Sequence, residues 1–571
     1  MNAELLLAHY ECIADAPDAI GRLRRFILDL AVRGKLVEQD PNDEPASDLL
    51  KRVAAEKARL VKAGEIPREK LLPQLADTDT TFALPQGWEW VRLGHLTKLV
   101  TSGSRDWAKH YSNAGAIFVR MGNLSKDHYR LRLDHIQHVQ PPADGEGTRT
   151  RLEASDILIS ITGDVGMLGL IPEGFGEAYI NQHTAMVRPM AEMKSRYLPE
   201  LFRSPFAQAQ FNEPQRGIKN SFRLTDITQF VVPLPPLAEQ HRIVAKVDEL
   251  MALCDQLEAV RTVRETSRDQ LTLSTLSKLN EPDPQSFADD ARFALEHLEP
   301  LTKRTAQIQQ LRQTIRNLAV RGQLVEQDPN DEPAAALFQR VQTEKARMVK
   351  AGIIPRPKES ARDLDFLADA LPTSWLPIAL GDVCSLVTSG SRGWGEYYAE
   401  TGPGFVRAQN IRFGKLRLDG LACVNPPAKS EGARTQVAKG DLLIVITGAG
   451  VTNPALLYVD LGEAYVSQHV GLVRPCDTEL SPWLLLCLMA DAGGRAELTM
   501  RAYGAGKPGL NLDNIRSLSV PLPPLAEQHR IVAKVDELMA LCDQLEASLV
   551  EGEQTRSKLL EAVLGEALEP A

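Results

Sequence analysis

PLPPLAEQHRIVAKVDELMALCDQLEA, residues 233–259, returns letter for letter as residues 521–547, 288 positions further on. The reading of this stretch decides the fold. Two prolines stand where a helix can begin, because the first-turn amides lack intrahelical partners in any case. Glu239 falls in that first turn, where the helix dipole favours a carboxylate. Apolar residues then recur in steps of four and three: Ile243, Val247, Leu250, Cys254 and Leu257, and in the second copy Ile531, Val535, Leu538, Cys542, Leu545 and Leu549. That spacing predicts a coiled-coil-like helix. It runs to about Leu279, where EPDPQ breaks it, giving a rod of roughly 60 Å. A second helix is expected around Asp289–Val320 and a third around Ala335–Lys350, with QDPNDEP as the turn between them.

Working outward, a second block repeats with the same offset. AVRGKLVEQDPNDEPA at Ala31–Ala46 returns as AVRGQLVEQDPNDEPA at Ala319–Ala334, and EKARLVKAG from Glu56 as EKARMVKAG from Glu344. The intervening segments agree only in islands: TSGSRDWAKHY from Thr101 with TSGSRGWGEYY from Thr388, IFVRMGN (Ile117–Asn123) with GFVRAQN (Gly404–Asn410), DILISITG (Asp156–Gly163) with DLLIVITG (Asp441–Gly448), and EAYINQHTAMVRP from Glu177 with EAYVSQHVGLVRP from Glu463. Near-identical flanks around diverged middles suggest flanks that meet one shared partner and middles that meet different targets. The order of blocks is that of a ring cut once, a pseudo-twofold arrangement suited to two copies of a partner.

The expected fold class is α+β: two mixed α/β domains separated by long antiparallel coiled-coil-like helices. The segments are 1–83, an N-terminal helical region; 84–236, the first mixed domain; 237–370, a central helical spacer; 371–524, the second mixed domain; and 525–571, a C-terminal helix pairing with the spacer. In the middles, short β-branched runs alternate with Gly, Asn and Asp turns, and each is about 150 residues, an ordinary domain size. Trp88 and Trp375, at the domain entries, are expected in the cores.

Composition narrows the function. The chain has 571 residues, 43% hydrophobic and 25% charged, with a net charge of −10. No apolar run approaches the roughly 20 residues needed to span a bilayer, and the first residues lack a basic leader, so neither a membrane span nor a signal peptide is expected. Seven scattered cysteines (Cys12, Cys254, Cys384, Cys423, Cys476, Cys487, Cys542) without a CxxC pair argue against disulfides or zinc and suit a reducing cytoplasm. The acidic balance is uneven: Leu84–Pro235 holds 17 Lys/Arg against 15 Asp/Glu, and Leu371–Pro523 holds 13 against 13. Global charge is therefore no veto on nucleic acid, which needs only local positive potential.

On these residues the sequence resembles the specificity subunit of type I restriction–modification systems. The carriers are PLPPLAEQHRIVAKVDEL at each domain exit and TSGSRxW followed by Tyr at each entry. The resemblance runs from about Arg24 to the end of the sequence. It implies two target-recognition domains, each reading one half of a split, asymmetric duplex DNA site, with the helices as ruler and docking surface. It implies as partners two modification (methyltransferase) subunits and restriction (translocase/nuclease) subunits, which would carry S-adenosylmethionine, ATP and Mg2+; this chain would hold no cofactor or metal and no catalytic residue.

Candidate DNA contacts follow from residue chemistry. The shared TSGSR loops (Thr101, Ser102, Ser104, Arg105; Thr388, Ser389, Ser391, Arg392) offer hydroxyls, a glycine and a guanidinium, which suits phosphate positioning because both copies have them. Lys219 and Lys507, in polar or Gly-rich loops before the exit strand, suit the same role. Base choice should fall to divergent positions: Asn123, Lys126, His128 and Arg130 in the first copy, Asn410, Arg412, Lys415 and Arg417 in the second, with Arg120, Arg223 and Arg407 beside them. Helix-pair or subunit contacts are expected at Leu237, Ile243, Val247, Leu250, Leu257, Leu525, Ile531, Val535, Leu538 and Leu545.

Other motifs point elsewhere but carry less. VNPPA at Val424–Ala428 lacks the aromatic of an adenine-methyltransferase motif, and its counterpart is VQPPA at Val139–Ala143. GAGKPG at Gly504–Gly509 lacks phosphate-loop spacing. Gln182–His183 and Gln468–His469 have no nucleophile or carboxylate motif beside them and read as structural. A self-contained methyltransferase and a helical scaffold that does not touch DNA remain the alternatives.

Overall fold

The computed structural model describes residues 15–68, 71–103, 107–141, 148–212, 221–281, 283, 285–356, 371–427, 434–502 and 509–566. The chain divides into two compact units, Met1–Val263 with Glu553–Ala571, and Arg264–Gly552. Each contains one mixed domain and its helical flank.

In the first unit, entry strand Glu89–Arg92 pairs antiparallel with exit strand Val231–Leu234, which closes the domain on itself. Between them lie two sheets. One is antiparallel, in the order Thr97–Ser102, Thr184–Pro189, Ile157–Ser160, Leu168–Leu170. The other runs Tyr111–Ser112, Gln137–Val139, Ala116–Val119, Ala178–Ile180, and its last pair is parallel. The second unit repeats the plan. Leu376–Ala379 pairs with Ser519–Leu522, Cys384–Ser389, Val470–Pro475, Leu442–Val445 and Pro454–Leu456 form the antiparallel sheet, and Tyr398–Val406 pairs parallel with Ala464–Val466.

The islands of similarity are the ties of this plan. Asp156, fully buried at the start of a central strand, receives Arg188 Nε at 2.8 Å and Nη2 at 2.7 Å; Asp441 receives Arg474 at 2.7 and 2.6 Å. Burial of a carboxylate demands such a partner. One tie is kept with different residues: Tyr197 Oη donates to the Pro233 carbonyl at 2.5 Å, and Trp483 Nε1 to that of Pro521 at 2.8 Å.

The repeated flanks meet at each domain entry. Trp88 Nε1 donates to Glu239 Oε2 at 2.9 Å, Gln39 Nε2 donates to Glu239 Oε1 at 2.7 Å, and Arg242 pairs with Asp43 at 2.6 Å. The second unit has Trp375 to Glu527 at 3.0 Å, Gln327 to Glu527 at 2.5 Å and Arg530 to Asp331 at 2.7 Å. Gly34, at φ +67°, faces Pro85 and Trp88, and Gly322, at φ +73°, faces Pro372 and Trp375. The AVRG, QDPNDEP, Trp and LAEQ blocks are thus parts of one junction, so their identity has an intrachain cause alongside any shared partner.

Burial pushes the Glu239 and Glu527 carboxyls up, against the pull of their Trp and Gln donors. A carboxyl raised in the folded state contributes stability below its unfolded value, about 4.3, and loses it as pH rises through the folded value. The E239Q/E527Q protein lacks that titration. Its melting temperature relative to wild type is therefore expected to improve steadily between pH 4.5 and neutrality; a difference independent of pH would disprove the assignment.

Long helices Leu237–Asn280 and Leu525–Glu566 follow the two exit strands. In the first unit Arg24, on helix Ala19–Val32, forks onto Asp255 and Glu258 at 2.6 and 2.7 Å. In the second, Arg312, on helix Thr305–Val320, forks onto Asp543 and Glu546. The N-terminal helix thus does in one unit what a spacer helix does in the other, as the ring-like order of blocks implies.

Two expectations need correction. The helix expected over Asp289–Val320 is three pieces, Phe287–Glu296, Leu298–Leu301 and Thr305–Val320; Pro300 has no amide for the Glu296 carbonyl four residues back, and its ring crowds that oxygen, where the first piece ends. The other concerns the heptad residues. Ile243 and Val247 are fully buried in the first core, and Ile531 and Val535 are buried in the second, while Leu237, Leu250, Leu525, Leu538 and Leu545 are half-buried against the same cores. These side chains pack within the chain, which narrows the expectation to its helix-pair alternative for the buried ones. Leu257 alone of that set is exposed, at 37%.

Candidate nucleic-acid interface

The parallel strand pair of each domain fixes the place. Val119 lies beside Ile180 and Val406 beside Val466, so the segments after them leave the sheet at one end. In the first domain these are the turn Met121–Asn123 and the segment Asn181–His183. They line a cleft of about 560 Å³ together with Arg120, Arg132, Asp134 and His135. In the second domain the turn is Ala408–Asn410, and the Ser467 amide donates to the Val406 carbonyl at 2.9 Å.

The exposed histidines carry the same bonds in both copies. His183 Nδ1 meets Thr162 Oγ1 at 2.7 Å and its Nε2 meets Gln182 Nε2 at 3.1 Å; His469 meets Thr447 at 2.6 Å and Gln468 at 3.2 Å. An amide nitrogen only donates, so Nε2 accepts, Nδ1 carries the proton, and the threonine oxygen receives it. Thr162 also bridges Ser221 and Thr447 bridges Gly509, each two residues after a candidate lysine, Lys219 or Lys507. Both lysines, with Ser104 and Arg105, lie outside the described residues, as do Ala143 and Ala428 of the proline motifs.

The TSGSR loop is packed against this cluster by its glycine. A Cβ on Gly103 would stand 2.1 Å from the Ile180 carbonyl oxygen, and one on Gly390 2.1 Å from that of Val466. Close backbone approach, rather than phosphate access, explains the residue.

Several candidates are structural. Thr101 and Thr388 are 4% and 5% exposed, within strands, and Ser391 is buried too. Ser102 and Ser389 are half-buried strand ends. Asn123 is buried, its Oδ1 accepting the Arg120 amide at 2.9 Å and its Nδ2 donating to the Arg132 and His135 carbonyls at 2.8 and 3.3 Å. Asn410 is held likewise, by the Arg407 amide at 3.0 Å and the Arg417 carbonyl at 3.1 Å. With their hydrogen bonds so committed, these side chains build turns and do not read bases. Arg407 lies over the Tyr398 ring, 5.9 Å from its centre.

Others are surface residues in different places. Lys126 is ion-paired with Asp164. His128 and Arg130 line a separate cleft against the first long helix, with Arg24, Arg196, Asp248 and Asp255. Arg223, Arg392, Arg412, Lys415 and Arg417 are exposed. The Gln–His pairs, read from the sequence as structural, are hydrogen-bonded in both copies, and their repetition across two otherwise diverged domains sets them apart from the variable surface. Among the described residues no group of three or more His, Cys, Asp or Glu could hold a metal ion, and no helix is long and apolar enough to cross a membrane.

Comparison with known proteins agrees with this architecture. A family model described as the type I restriction modification DNA specificity domain matches residues 85–264 and 433–551. The chain is 30% identical to the type I restriction enzyme EcoAI specificity subunit of Escherichia coli over 96% of its own length and 94% of the relative's. The EcoEI specificity subunit of Escherichia coli is similar at 30% identity, over 96% and 94%. Among solved structures, an HsdS subunit from Thermoanaerobacter tengcongensis shares 21% identity over 86% of this chain and 98% of that one, with a TM-score of 0.40.

Proposed function

The chain belongs to the type I restriction–modification specificity subunits and is the DNA sequence-specificity subunit of such an assembly; from that premise we propose that each mixed domain binds one half of a bipartite, asymmetric duplex site through the end of its parallel strand pair. The observation that carries this is the Thr–His–Gln cluster, which recurs with the same bonds at the same strand ends of two domains whose other surfaces differ. Features common to both half-sites are phosphates, and hydroxyl and amide donors suit them. Lys219 and Lys507, close in sequence to Ser221 and Gly509, are expected to add charge, and Arg120 lines the cleft of the first domain. Two modification subunits dock on the helical flanks, restriction subunits complete the nuclease, and S-adenosylmethionine, ATP and Mg2+ are held by those partners. The reaction takes place in the cytoplasm, and this subunit contributes no catalytic group.

Co-expression with the neighbouring modification subunit, in a host lacking DNA methylation, tests the reading by single-molecule mapping of modified bases. A split, asymmetric methylated motif that vanishes when this chain is omitted is the expected result. Methylation unchanged without the chain would refute it and favour a scaffold that does not touch DNA.

A further inference from the structure

The two turns at the strand ends share a frame and differ at its tip. Arg120–Met121–Gly122–Asn123 aligns with Arg407–Ala408–Gln409–Asn410. In both, the last Asn accepts the amide of the first Arg, at 2.9 and 3.0 Å, so the backbone is held alike. The flanking Arg and Asn are common to both and cannot distinguish two half-sites. The variable pair between them can. Gly122 and Gln409 are exposed, and Met121 and Gly122 line the same cleft as Asn181 and His183.

Gly122 has no structural reason to be glycine. Its φ is not positive, and a Cβ built on it meets nothing within 4 Å. This sets it apart from Gly103, whose Cβ would strike backbone. The missing side chain therefore keeps space open in front of the cleft. At the same place Gln409 puts a carboxamide, a group that both donates and accepts and matches the N6 and N7 edge of adenine.

We propose that this turn is the base-discriminating element of each domain, with Gln409 reading an A·T pair in one half-site and the Met121–Gly122 tip admitting a different base edge in the other. Resting on the DNA-recognition reading above, the inference adds which residues choose the base. The constant cluster sets the backbone distance, and the tip is the only part of that frame whose chemistry changes between the copies.

The test uses the whole subunit with its modification subunit in the methylation-free host. The wild-type motif is mapped first, so failure of the specificity reading shows before any variant is compared. Q409A is expected to relax one A·T position in one half of the motif, with a loss of about tenfold in discrimination there, and to leave the other half unchanged. M121A/G122Q, which the open space accommodates, is expected to alter only the other half. An unchanged motif in both variants, relaxation at a G·C position by Q409A, or changes in both halves from one variant would overturn the proposal. Normal co-purification with the modification subunit and an unchanged melting temperature establish that both variants fold.

Discussion

Gly103→Ala is expected to lower the affinity of the assembled methyltransferase for its bipartite duplex about a hundredfold. The added carbon would stand 2.1 Å from the Ile180 oxygen and 2.4 Å from the Asn181 oxygen, both backbone atoms on the strand that delivers His183. Neither can swing aside as a side chain would, so strand end and loop must part by roughly 1 Å. Specific binding exceeds non-specific binding by about 10³ to 10⁷ in such systems, and losing one half of the contacts removes about half of that on a logarithmic scale. Gly390→Ala should act alike on the other half-site, because its Cβ meets the Val466 oxygen at the same distance. Filter binding or fluorescence anisotropy on duplexes carrying each half-site separately would locate the loss. Affinity within twofold of wild type would mean that the strand ends do not face DNA.

The largest effect on stability is expected from Trp88→Ala. The indole is 5% exposed, stacks edge-on to Tyr197 with ring centres 6.4 Å apart, and donates to Glu239. Truncating a buried tryptophan costs about 3–5 kcal/mol, and here it also leaves a buried carboxylate short of a donor. Hydrogen exchange should accelerate in Ala19–Lys62 and along the first turns from Leu237. Trp375→Ala should do the same in Thr305–Lys350 and after Leu525. Unchanged protection in Ala19–Lys62 would refute the view that the Trp–Glu–Gln junction locks the helical flank to the domain.

That junction also shows what the sequence could and could not disclose. The two-domain plan was readable because the flanks repeat at a fixed offset, and the long helices because Ile243, Val247 and Cys254 fall on one face. Where that face points was not readable. Heptad spacing suits a partner helix or the chain's own core equally, and only the packing of Ile243 with Trp88 and Leu234 decides. Asn123 and Asn410 misled for a related reason. A polar residue beside arginines in a variable segment resembles a base reader, yet both are consumed by a backbone amide three residues back and by carbonyls seven to twelve residues on. The His183 and His469 pairs were read as structural without their partners, because Thr162 and Thr447 lie 21 and 22 residues off in sequence. Register between the antiparallel strands that precede each threonine and follow each histidine, which no local pattern encodes, brings them together.

Ala16 and Ala19, near one end of the chain, share a small apolar cluster with Leu560, near the other, and Glu553–Ala571 belongs to the first unit. On the ribosome this imposes an order of events. At about 5–20 residues per second, about 300 further residues separate the emergence of Val263 from that of Leu560, a delay of about 15–60 seconds. Through that interval the face of Ala16 and Ala19 waits for Leu560, so the first unit makes this contact only after the residues of the second have been synthesised. A chain that stops before Leu560 leaves the Ala16 and Ala19 face without this cover.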